Sequence, residues 1–441
     1  MSEFFTRRRL LQNMGACTVL PLLAPIRIGD PPRIVVDFRN PIGKTNPLAL
    51  GYNVTTFIRT AVDSPSLAAA EKKLDGRYVR IPVGLRSGRV TSGASGGPTS
   101  LDACALIRWY QARHVRVLIV LAGVSTDVNI RNGDVATLME MMAASGVDLD
   151  SLEISSPNEP NNQKLTLEQS IALAKLCSDE VRTVKPGKRL WGPAWTWYDR
   201  NALRQFADAM GNRLAGIDFH NYAMGVKSLS TAEAMTQTTN WGKEVSEVRE
   251  DLTSLSLPDQ VSVSELNLSW RFDDGTPPDG KNHRFYTAVN TVWCASVVGH
   301  ILRAGGSAAV YGNQNGPLGV FTEDSDATPM PAFWGLGAWT GASLFPHFAD
   351  SFFEVQGSAG PSVEVFAVSN EAGGRNVILV NKSEVEPSTI NLGLEGFGSH
   401  SLTVWQSDPA KPTAAPQRLV MANLERLLLP RMSVTTVVVT P

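Results

Sequence analysis

The sequence lacks an excess of charge of either sign and lacks long apolar runs. Its 441 residues carry 40 Lys and Arg against 42 Asp and Glu, which gives a net charge of −2. Without a basic excess, nucleic acid and anionic membranes are poor partners. Beyond the N-terminal segment no run of 18 apolar residues occurs, so no membrane span is expected. What remains is an ordinary globular composition, long enough for one large domain and a smaller one.

Cysteine and histidine are also scarce. Of the four cysteines, Cys17 lies near the N-terminus, and Cys104, Cys177 and Cys294 each fall in a helical pattern. Three cysteines cannot all pair with one another, and their helical positions predict buried free thiols. Neither these cysteines nor the six histidines have the spacing of a zinc or redox site. We therefore expect no metal and no other cofactor.

The N-terminal segment, residues 1–30, contains an arginine-rich motif. The stretch Thr6-Arg7-Arg8-Arg9-Leu10-Leu11-Gln12 resembles a twin-arginine export signal and precedes a weakly apolar stretch, residues 16–24. The alternative is a disordered basic tail. We expect export, with the protein periplasmic or secreted.

Residues 41–345 alternate between short apolar strands and amphipathic helices. Eight strands, each followed by a helix-sized segment, predict an α/β fold of the (β/α)8 TIM barrel type. An open doubly wound sheet would usually carry a glycine-rich turn after its first strand, but Thr-Thr-Phe-Ile stands there. The predicted strands are Leu48–Val54, Val79–Val83, Val115–Leu121, Leu152–Ser155, Arg189–Pro193, Gly216–His220, Val261–Glu265 and Ser307–Tyr311.

Two predicted helices begin with clear capping signals. Ser64-Pro65 offers an N-cap followed by proline in the first turn, and Thr166 with Gln169 forms a capping box. The predicted helices are Ser64–Leu74, Ser100–Arg113, Thr166–Val184, Asp199–Met210, His283–Arg303 and Pro331–Ser343.

After residue 345 the pattern changes to short strands separated by Gly, Ser, Asn and Pro. This predicts an appended C-terminal all-β sandwich over residues 346–441. An early apolar run, Arg33–Phe38 within residues 31–40, is expected to join that sandwich as an extra strand.

Two glutamates stand at the predicted ends of barrel strands, where TIM barrels place their active sites. Glu159 follows strand four and Glu265 ends strand seven. Cleavage of a glycosidic bond uses two such groups, one to protonate the leaving oxygen and one to attack the sugar or activate water. Arg80 on strand two and Tyr222 on strand six are placed to hydrogen-bond one carboxylate and keep it ionised.

Further side chains at the strand ends are candidates for binding a sugar. Asn158 suits a hydroxyl group, and one of Trp195 and Trp197, with Trp195 favoured, suits a sugar face. His220 is expected to position other groups. The remaining candidates are Trp270, Tyr311 and Asn313.

The chain resembles the retaining glycoside hydrolases of clan A over roughly residues 33–441. The resemblance rests on Asn158-Glu159-Pro160, Glu265, Arg80 within Arg-Ile-Pro, and His220-x-Tyr222. The appended sandwich with its N-terminal strand is most similar to families 39 and 79. The resemblance implies that Glu159 is the acid/base and Glu265 the nucleophile. At the end of strand eight, where many members have tryptophan, this chain has Tyr311 and Asn313.

The sequence therefore predicts a retaining glycoside hydrolase that cleaves a β-type bond in an oligo- or polysaccharide. For the first proton transfer, the pKa of Glu159 is expected to be raised by an apolar rim and by the charge of Glu265. The alternatives are a carbohydrate-binding protein without catalysis, and a metal-dependent lyase on the same barrel.

Overall fold

The computed structural model describes residues 30–54, 60–86, 89–92, 101–121, 133–224, 229–270, 284–398, 401–421 and 423–441. The predicted export signal and Cys17 lie outside these residues. In chain order, the strands are β1 Arg33–Lys44, β2 Leu50–Asn53, β3 Tyr78–Arg86, β4 Arg89–Ser92, β5 Leu101–Asp102, β6 Arg116–Leu121, β7 Leu152–Ser155, β8 Leu190–Thr196, β9 Leu214–Met224, β10 Val261–Ser269, β11 Ala308–Tyr311, β12 Phe348–Gln356, β13 Val363–Asn370, β14 Arg375–Asn381, β15 Ser388–Glu395, β16 Ser401–Gln406, β17 Gln417–Leu419, β18 Leu427–Leu429 and β19 Ser433–Thr440.

A closed barrel of eight parallel strands forms the first sheet. The strands pair in the order β2, β3, β6, β7, β8, β9, β10 and β11, and β11 returns to pair with β2. Strands such as β6, with the sequence RVLIVL, are buried along almost their whole length, as expected for a sheet covered on both faces. The predicted TIM barrel is confirmed. We call the C-terminal end of its strands the barrel rim.

Helices pack around the barrel and confirm the predicted capping signals. The Ser64 side chain accepts from the Leu67 amide, and Thr166 and Gln169 cap one another reciprocally. The predicted helices did not include α3, α6 and α7, and the N-cap residue of α7 makes no side-chain capping hydrogen bond. The helices are α1 Pro65–Leu74, α2 Ala103–Gln111, α3 Asp134–Ala144, α4 Leu167–Val184, α5 Arg200–Met210, α6 Thr231–Thr236, α7 Asn240–Ser254, α8 Ala288–Arg303 and α9 Pro331–Thr340.

Two further predictions concern single residues and helices. Cys104, Cys177 and Cys294 are buried and reduced, as predicted. Burial raises the pKa of the Cys177 thiol to about 12. Among the described helices, none combines the length and the apolar character needed to cross a bilayer.

The second sheet has nine strands and its own apolar core. Strand β1 lies between β12, to which it runs antiparallel, and β15, to which it runs parallel. The N-terminal strand is therefore an integral part of the C-terminal sheet. Side chains from both halves of this sheet, including Val36, Leu379 and Val437, meet in one buried cluster, which is the packing of a sandwich. The predicted fold class is confirmed in both parts.

A buried polar cluster joins the second sheet to the barrel. Glu364 on β13 accepts hydrogen bonds from Lys382, which directly follows β14, and from Ser296 and His300 on α8. Burial alone would raise the pKa of Glu364, but the His300 hydrogen bond and the charge of Lys382 outweigh it and lower the pKa to about 2. The two parts are thus joined by the hydrogen bonds of Ser296 and His300 to Glu364 as well as by apolar packing.

Candidate active site

Two carboxylates and one imidazole converge at the barrel rim. Glu159 lies in the turn after β7, and Glu265 lies in β10. One oxygen from each and one ring nitrogen of His220 all lie within 4.8 Å of one another. The two glutamate side chains remain 19% and 18% exposed, whereas that of His220 is fully buried. A ligand entering from solvent therefore meets the carboxylates first.

A bulge in β10 changes the direction in which the Glu265 side chain points. Side chains alternate along a regular strand, so Ser264 and Glu265 should point to opposite faces. The pairing between β9 and β10 shifts register between Val263 and Glu265, and bulges of this kind re-aim side chains beside active sites. As a result, Ser264 reaches the barrel interior and Glu265 reaches the neighbouring rim.

Glu265 is held by two donors. Arg80 Nη1 lies 2.5 Å from Glu265 Oε1, and Tyr222 donates its hydroxyl to Oε2 over 2.5 Å. Arg80 is held in turn by Asn53, whose side-chain oxygen lies 2.7 Å from Nη1. Burial, followed by the charge of Glu265, raises the pKa of Tyr222 well above its ordinary value. Tyr222 therefore remains a hydrogen-bond donor to the carboxylate.

The contacts of His220 fix its tautomer. Arg80 Nη2 lies 3.2 Å from His220 Nε2. A guanidinium group can only donate, so Nε2 must accept and the ring proton belongs on Nδ1. His220 Nδ1 then donates to Glu159 Oε1 over 2.8 Å. Neutral His220 thus orients one carboxylate while Arg80 and Tyr222 orient the other.

The pKa of Glu159 is lowered, contrary to the sequence-based expectation. Burial by itself would raise it, but the His220 hydrogen bond, the Asn162 amide and the charge of Arg80 together lower it below its ordinary value. Asn162 Nδ2 lies 3.1 Å from Glu159 Oε2. The expectation was wrong because it considered the rim and Glu265 and not the donors that the fold brings to this carboxyl.

A buried aspartate lies below the rim and joins four strands. Asp218 on β9 accepts the Ser155 hydroxyl over 2.8 Å, the Ser264 hydroxyl over 3.2 Å and the Ala194 amide over 3.0 Å. The Ala194 carbonyl in turn accepts the amide of Glu159 over 3.0 Å. Glu159 and Ala194 both adopt positive φ, 47° and 53°. Asp218 therefore supports the unusual backbone that positions Glu159.

The other predicted site residues differ in their placement. Asn158 lies within the site, with its side-chain oxygen 2.5 Å from Arg80 Nη2. Trp195 is only 8% exposed and belongs to the main apolar core, whereas Trp197 is 38% exposed and packs edge-on against Tyr222. The sequence favoured Trp195, but Trp197 is the tryptophan that has a ring available at the rim. The positive φ of Ala194 and the register shift between Pro193 and Trp195 interrupt the regular alternation of side chains along β8.

The remaining candidates, near strands seven and eight, differ in how far their side chains are buried. Tyr311 is fully buried, and its hydroxyl accepts from Asn290 of α8 over 3.1 Å. It therefore faces the helix layer and not a ligand. Asn313 is half-buried just beyond β11. Trp270 follows β10 and is 46% exposed.

Sequence reasoning missed Asn53 and Asp218. Asn53 ends the first barrel strand, so reading that strand end as well would have identified it. Asp218 precedes His220 by two residues and therefore shares its inward face. An acidic residue on the interior face of a barrel strand is the signal that could have revealed it.

Among the described residues, Glu159, His220 and Glu265 form a group whose spacing suits a metal ion. The donor pattern opposes a cation, because both oxygens of Glu265 already accept hydrogen bonds and Nδ1 of His220 carries a proton. The guanidinium of Arg80 supplies the positive charge beside these groups. The residues present therefore fit a proton-transfer site better than a metal site.

Comparison with known proteins reveals similarity in fold. No family model matches the sequence, and no curated protein matches it. A family 51 α-L-arabinofuranosidase from Bifidobacterium longum aligns with 93% of this chain and 99% of its own, at 13% identity and a TM-score of 0.71. A family 30 endoxylanase from Clostridium papyrosolvens aligns with 93% and 100%, at 14% identity and a TM-score of 0.63.

A monomeric β-xylosidase from Caulobacter crescentus aligns over 92% of this chain and 99% of its own, at 14% identity and a TM-score of 0.63. The narrower resemblance to families 39 and 79 remains a prediction. This chain therefore shares, over nearly its whole length, the fold of solved glycoside hydrolases that combine a barrel with a C-terminal domain.

Proposed function

We propose that the protein is a retaining glycoside hydrolase, with Glu265 as nucleophile and Glu159 as general acid/base. The observation that carries this proposal is the asymmetry of the carboxylate pair. Arg80 and Tyr222 bind both oxygens of Glu265, which fixes its orientation and places a positive charge beside it, as suits an attacking carboxylate. Glu159 instead contacts a neutral imidazole and an amide, neither of which brings to it the direct positive charge that Arg80 brings to Glu265.

The separation of the carboxylates supports the retaining mechanism. Carboxyl groups lie about 5–5.5 Å apart in retaining enzymes and about 6.5–9.5 Å apart in inverting ones, which need room for a water molecule. Here an oxygen of Glu159 and an oxygen of Glu265 lie within 4.8 Å of one another. This gap suits direct attack on the sugar.

In the first step, a carboxylate oxygen of Glu265 bonds to the anomeric carbon as the glycosidic C–O bond breaks. The departing oxygen takes the proton of Glu159, so the leaving sugar is released as an alcohol. The product is a glycosyl ester of Glu265. In the second step, water attacks the same carbon, Glu159 accepts the water proton, and the ester bond breaks.

This cycle requires Glu159 to be protonated when the substrate is bound. In the free site the His220 hydrogen bond and the other donors lower the pKa of Glu159. A sugar ring above the carboxyl would displace water and strengthen the repulsion from ionised Glu265, and both effects raise the pKa. Glu159 is therefore expected to gain its proton together with the substrate.

We propose a β-type bond in an oligo- or polysaccharide as the target. The related folds include proteins named as a glucanase-xylanase, arabinofuranosidases and a β-xylosidase. A panel of 4-nitrophenyl β-D-xyloside, β-D-glucoside and α-L-arabinofuranoside covers these sugar types. We also propose export to the periplasm or medium, on the basis of the arginine motif of residues 6–12. Replacing the arginines of this motif by lysines should retain the protein inside the cell.

The decisive test assays that panel with wild type, Glu265→Gly and Glu159→Ala, with and without a chelator. Wild type should release nitrophenol, and Glu265→Gly should lose turnover by a factor of about 10⁴ or more, as expected when a nucleophile is removed. Azide should restore activity to each variant, giving glycosyl azide of inverted configuration with Glu265→Gly and of retained configuration with Glu159→Ala.

Other outcomes would identify the alternatives. Turnover that survives Glu265→Gly would disprove the nucleophile assignment. Oligosaccharide binding without turnover of any glycoside would favour a non-catalytic carbohydrate-binding protein. Loss of activity with chelator would favour a metal-dependent enzyme.

A further inference from the structure

Trp197 combines two features that usually carry a cost. Its side chain is 38% exposed although it is large and apolar. Its backbone has a φ of 67°, a left-handed conformation that is unfavourable for a bulky residue. Strained backbone of this kind persists where the surrounding structure enforces it, and it is concentrated at functional sites.

The neighbours on both sides fix the backbone of Trp197. Asn161 binds Thr196 twice, donating from Nδ2 to its carbonyl over 2.9 Å and accepting from its amide over 3.0 Å. On the other side, Tyr198 donates to Glu247 over 2.6 Å, and Asp199 caps α5. The position of the indole is therefore set by its anchored neighbours and does not depend on burial of the ring.

The indole contacts the tyrosine that binds Glu265, and the Trp197 backbone is attached to the turn that carries Glu159. Its ring is 5.9 Å from that of Tyr222 at an interplanar angle of 70°, and Tyr222 binds Glu265. Its backbone is attached through Thr196 and Asn161 to the turn that carries Glu159. Because Glu159 protonates the leaving oxygen in the proposed mechanism, this attachment places Trp197 on the leaving-group side.

We propose that Trp197 is the platform on which the sugar ring of the leaving group stacks, so that it determines a preference for glycosides of another sugar over glycosides of a small leaving group. The apolar C–H face of a pyranose or furanose ring suits an exposed indole face, and such contact removes apolar area from water. The inference rests on the proposed glycosidase function.

The test compares two substrates that share a donor sugar but differ in leaving group. Hydrolysis of β-D-xylosyl fluoride releases fluoride, a small ion, whereas hydrolysis of β-1,4-xylobiose releases a second sugar. If the aryl panel selects arabinofuranosyl or glucosyl donors, the corresponding fluoride and disaccharide replace these two substrates. Trp197→Ala should lower kcat/KM on the disaccharide about tenfold, the size expected for loss of one aromatic contact. Fluoride hydrolysis should change less than about twofold, and Trp197→Phe should recover most of the loss. Trp109→Ala on α2, which removes a half-buried tryptophan far from the rim, is the matched control and should leave the ratio of the two rates unchanged.

Binding provides an independent readout. Xylotriose titrated calorimetrically into Glu265→Gln and into Glu265→Gln/Trp197→Ala should bind about tenfold more weakly to the double variant. Equal losses on fluoride and disaccharide would overturn the proposal, because Trp197 would then only support Tyr222. Unchanged kinetics and unchanged binding would also overturn it. If no glycoside is turned over but xylotriose binding still depends on Trp197, the proposed catalysis fails while the platform stands.

Discussion

His220 binds Glu159 through Nδ1 over 2.8 Å while Arg80 occupies its other nitrogen. The imidazole is therefore a one-way donor that favours the ionised form of the carboxyl. One arginine thus controls both carboxylates, directly at Glu265 and through the histidine tautomer at Glu159. Protonation of Glu159 during catalysis must overcome this bond.

Replacement of His220 by alanine should raise the pKa of Glu159, because the strongest donor to its charged form is lost. The limb of the kcat/KM profile on which activity falls with rising pH should move to higher pH. The maximal rate should fall about tenfold to a hundredfold, since the acid is no longer oriented. Asn162→Ala removes the weaker contact at 3.1 Å and should shift the limb less. An unshifted limb in His220→Ala would show that the hydrogen bond does not set this pKa.

The sequence was most informative where chemistry and strand position coincide. Arg80, Tyr222 and Glu265 lie in barrel strands and Glu159 lies in the turn after one, and their residue types already suggest a carboxylate pair with supporting donors. The lowered pKa of Glu159 was not predictable in this way, because it depends on His220 and Asn162 reaching the same carboxyl in three dimensions.

Backbone irregularity limited the remaining predictions. The alternation of side chains between the two faces of a strand correctly places Asp218, His220 and Tyr222 on one face of β9. It fails at Ala194 and at the bulge before Glu265, because local strain and register are decided by tertiary hydrogen bonds such as the one from Ala194 to Asp218. The preference for Trp195 over Trp197 fails at the same irregular backbone around Ala194.

Asp218→Asn should reduce kcat about tenfold to a hundredfold and leave KM nearly unchanged. The amide would turn a donor toward the Ser155 hydroxyl, the Ser264 hydroxyl or the Ala194 amide, and Ala194 would no longer hold Glu159 in place. Small displacements of a catalytic group cost this much in rate. Ser264→Ala removes only the 3.2 Å contact and should have a smaller effect. A variant whose KM rises while kcat is preserved would contradict a positioning role for Asp218.

Glu364→Gln should destabilise the folded protein by about 3–5 kcal/mol at pH 7, because Lys382 is left buried without its charged partner. The pKa of Glu364 is about 2 in the folded protein and about 4.3 in an unfolded chain. A depressed pKa contributes stability that is fully present above the unfolded value and disappears as the pH falls through the folded value. Urea unfolding at pH 7 and pH 3 should therefore show a smaller difference between variant and wild type at pH 3. Glu364→Gln/Lys382→Met, which removes both charges, should recover part of the loss; a double variant no more stable than the single one would argue against an unpaired lysine as the cause.

Glu71 is expected to make the stability of the barrel fall as the pH rises. It is 5% exposed, accepts hydrogen bonds from Tyr110 and Gln314, and its pKa is raised by burial to about 8, against the lowering effect of these hydrogen bonds. In an unfolded chain the same group loses its proton near pH 4.3. Between these values the unfolded chain ionises while the folded protein keeps the proton, so the free energy of unfolding declines by up to about 1.4 kcal/mol per pH unit.

Glu71→Gln cannot ionise, and its stability relative to wild type, measured by urea unfolding at pH 5, 7 and 9, should increase up to about pH 8 and then level off. Glu140→Gln, at an exposed position on α3, is the matched control and should show no such increase; a parallel pH dependence of Glu71→Gln and wild type would mean that Glu71 ionises in the folded protein as easily as in the unfolded chain.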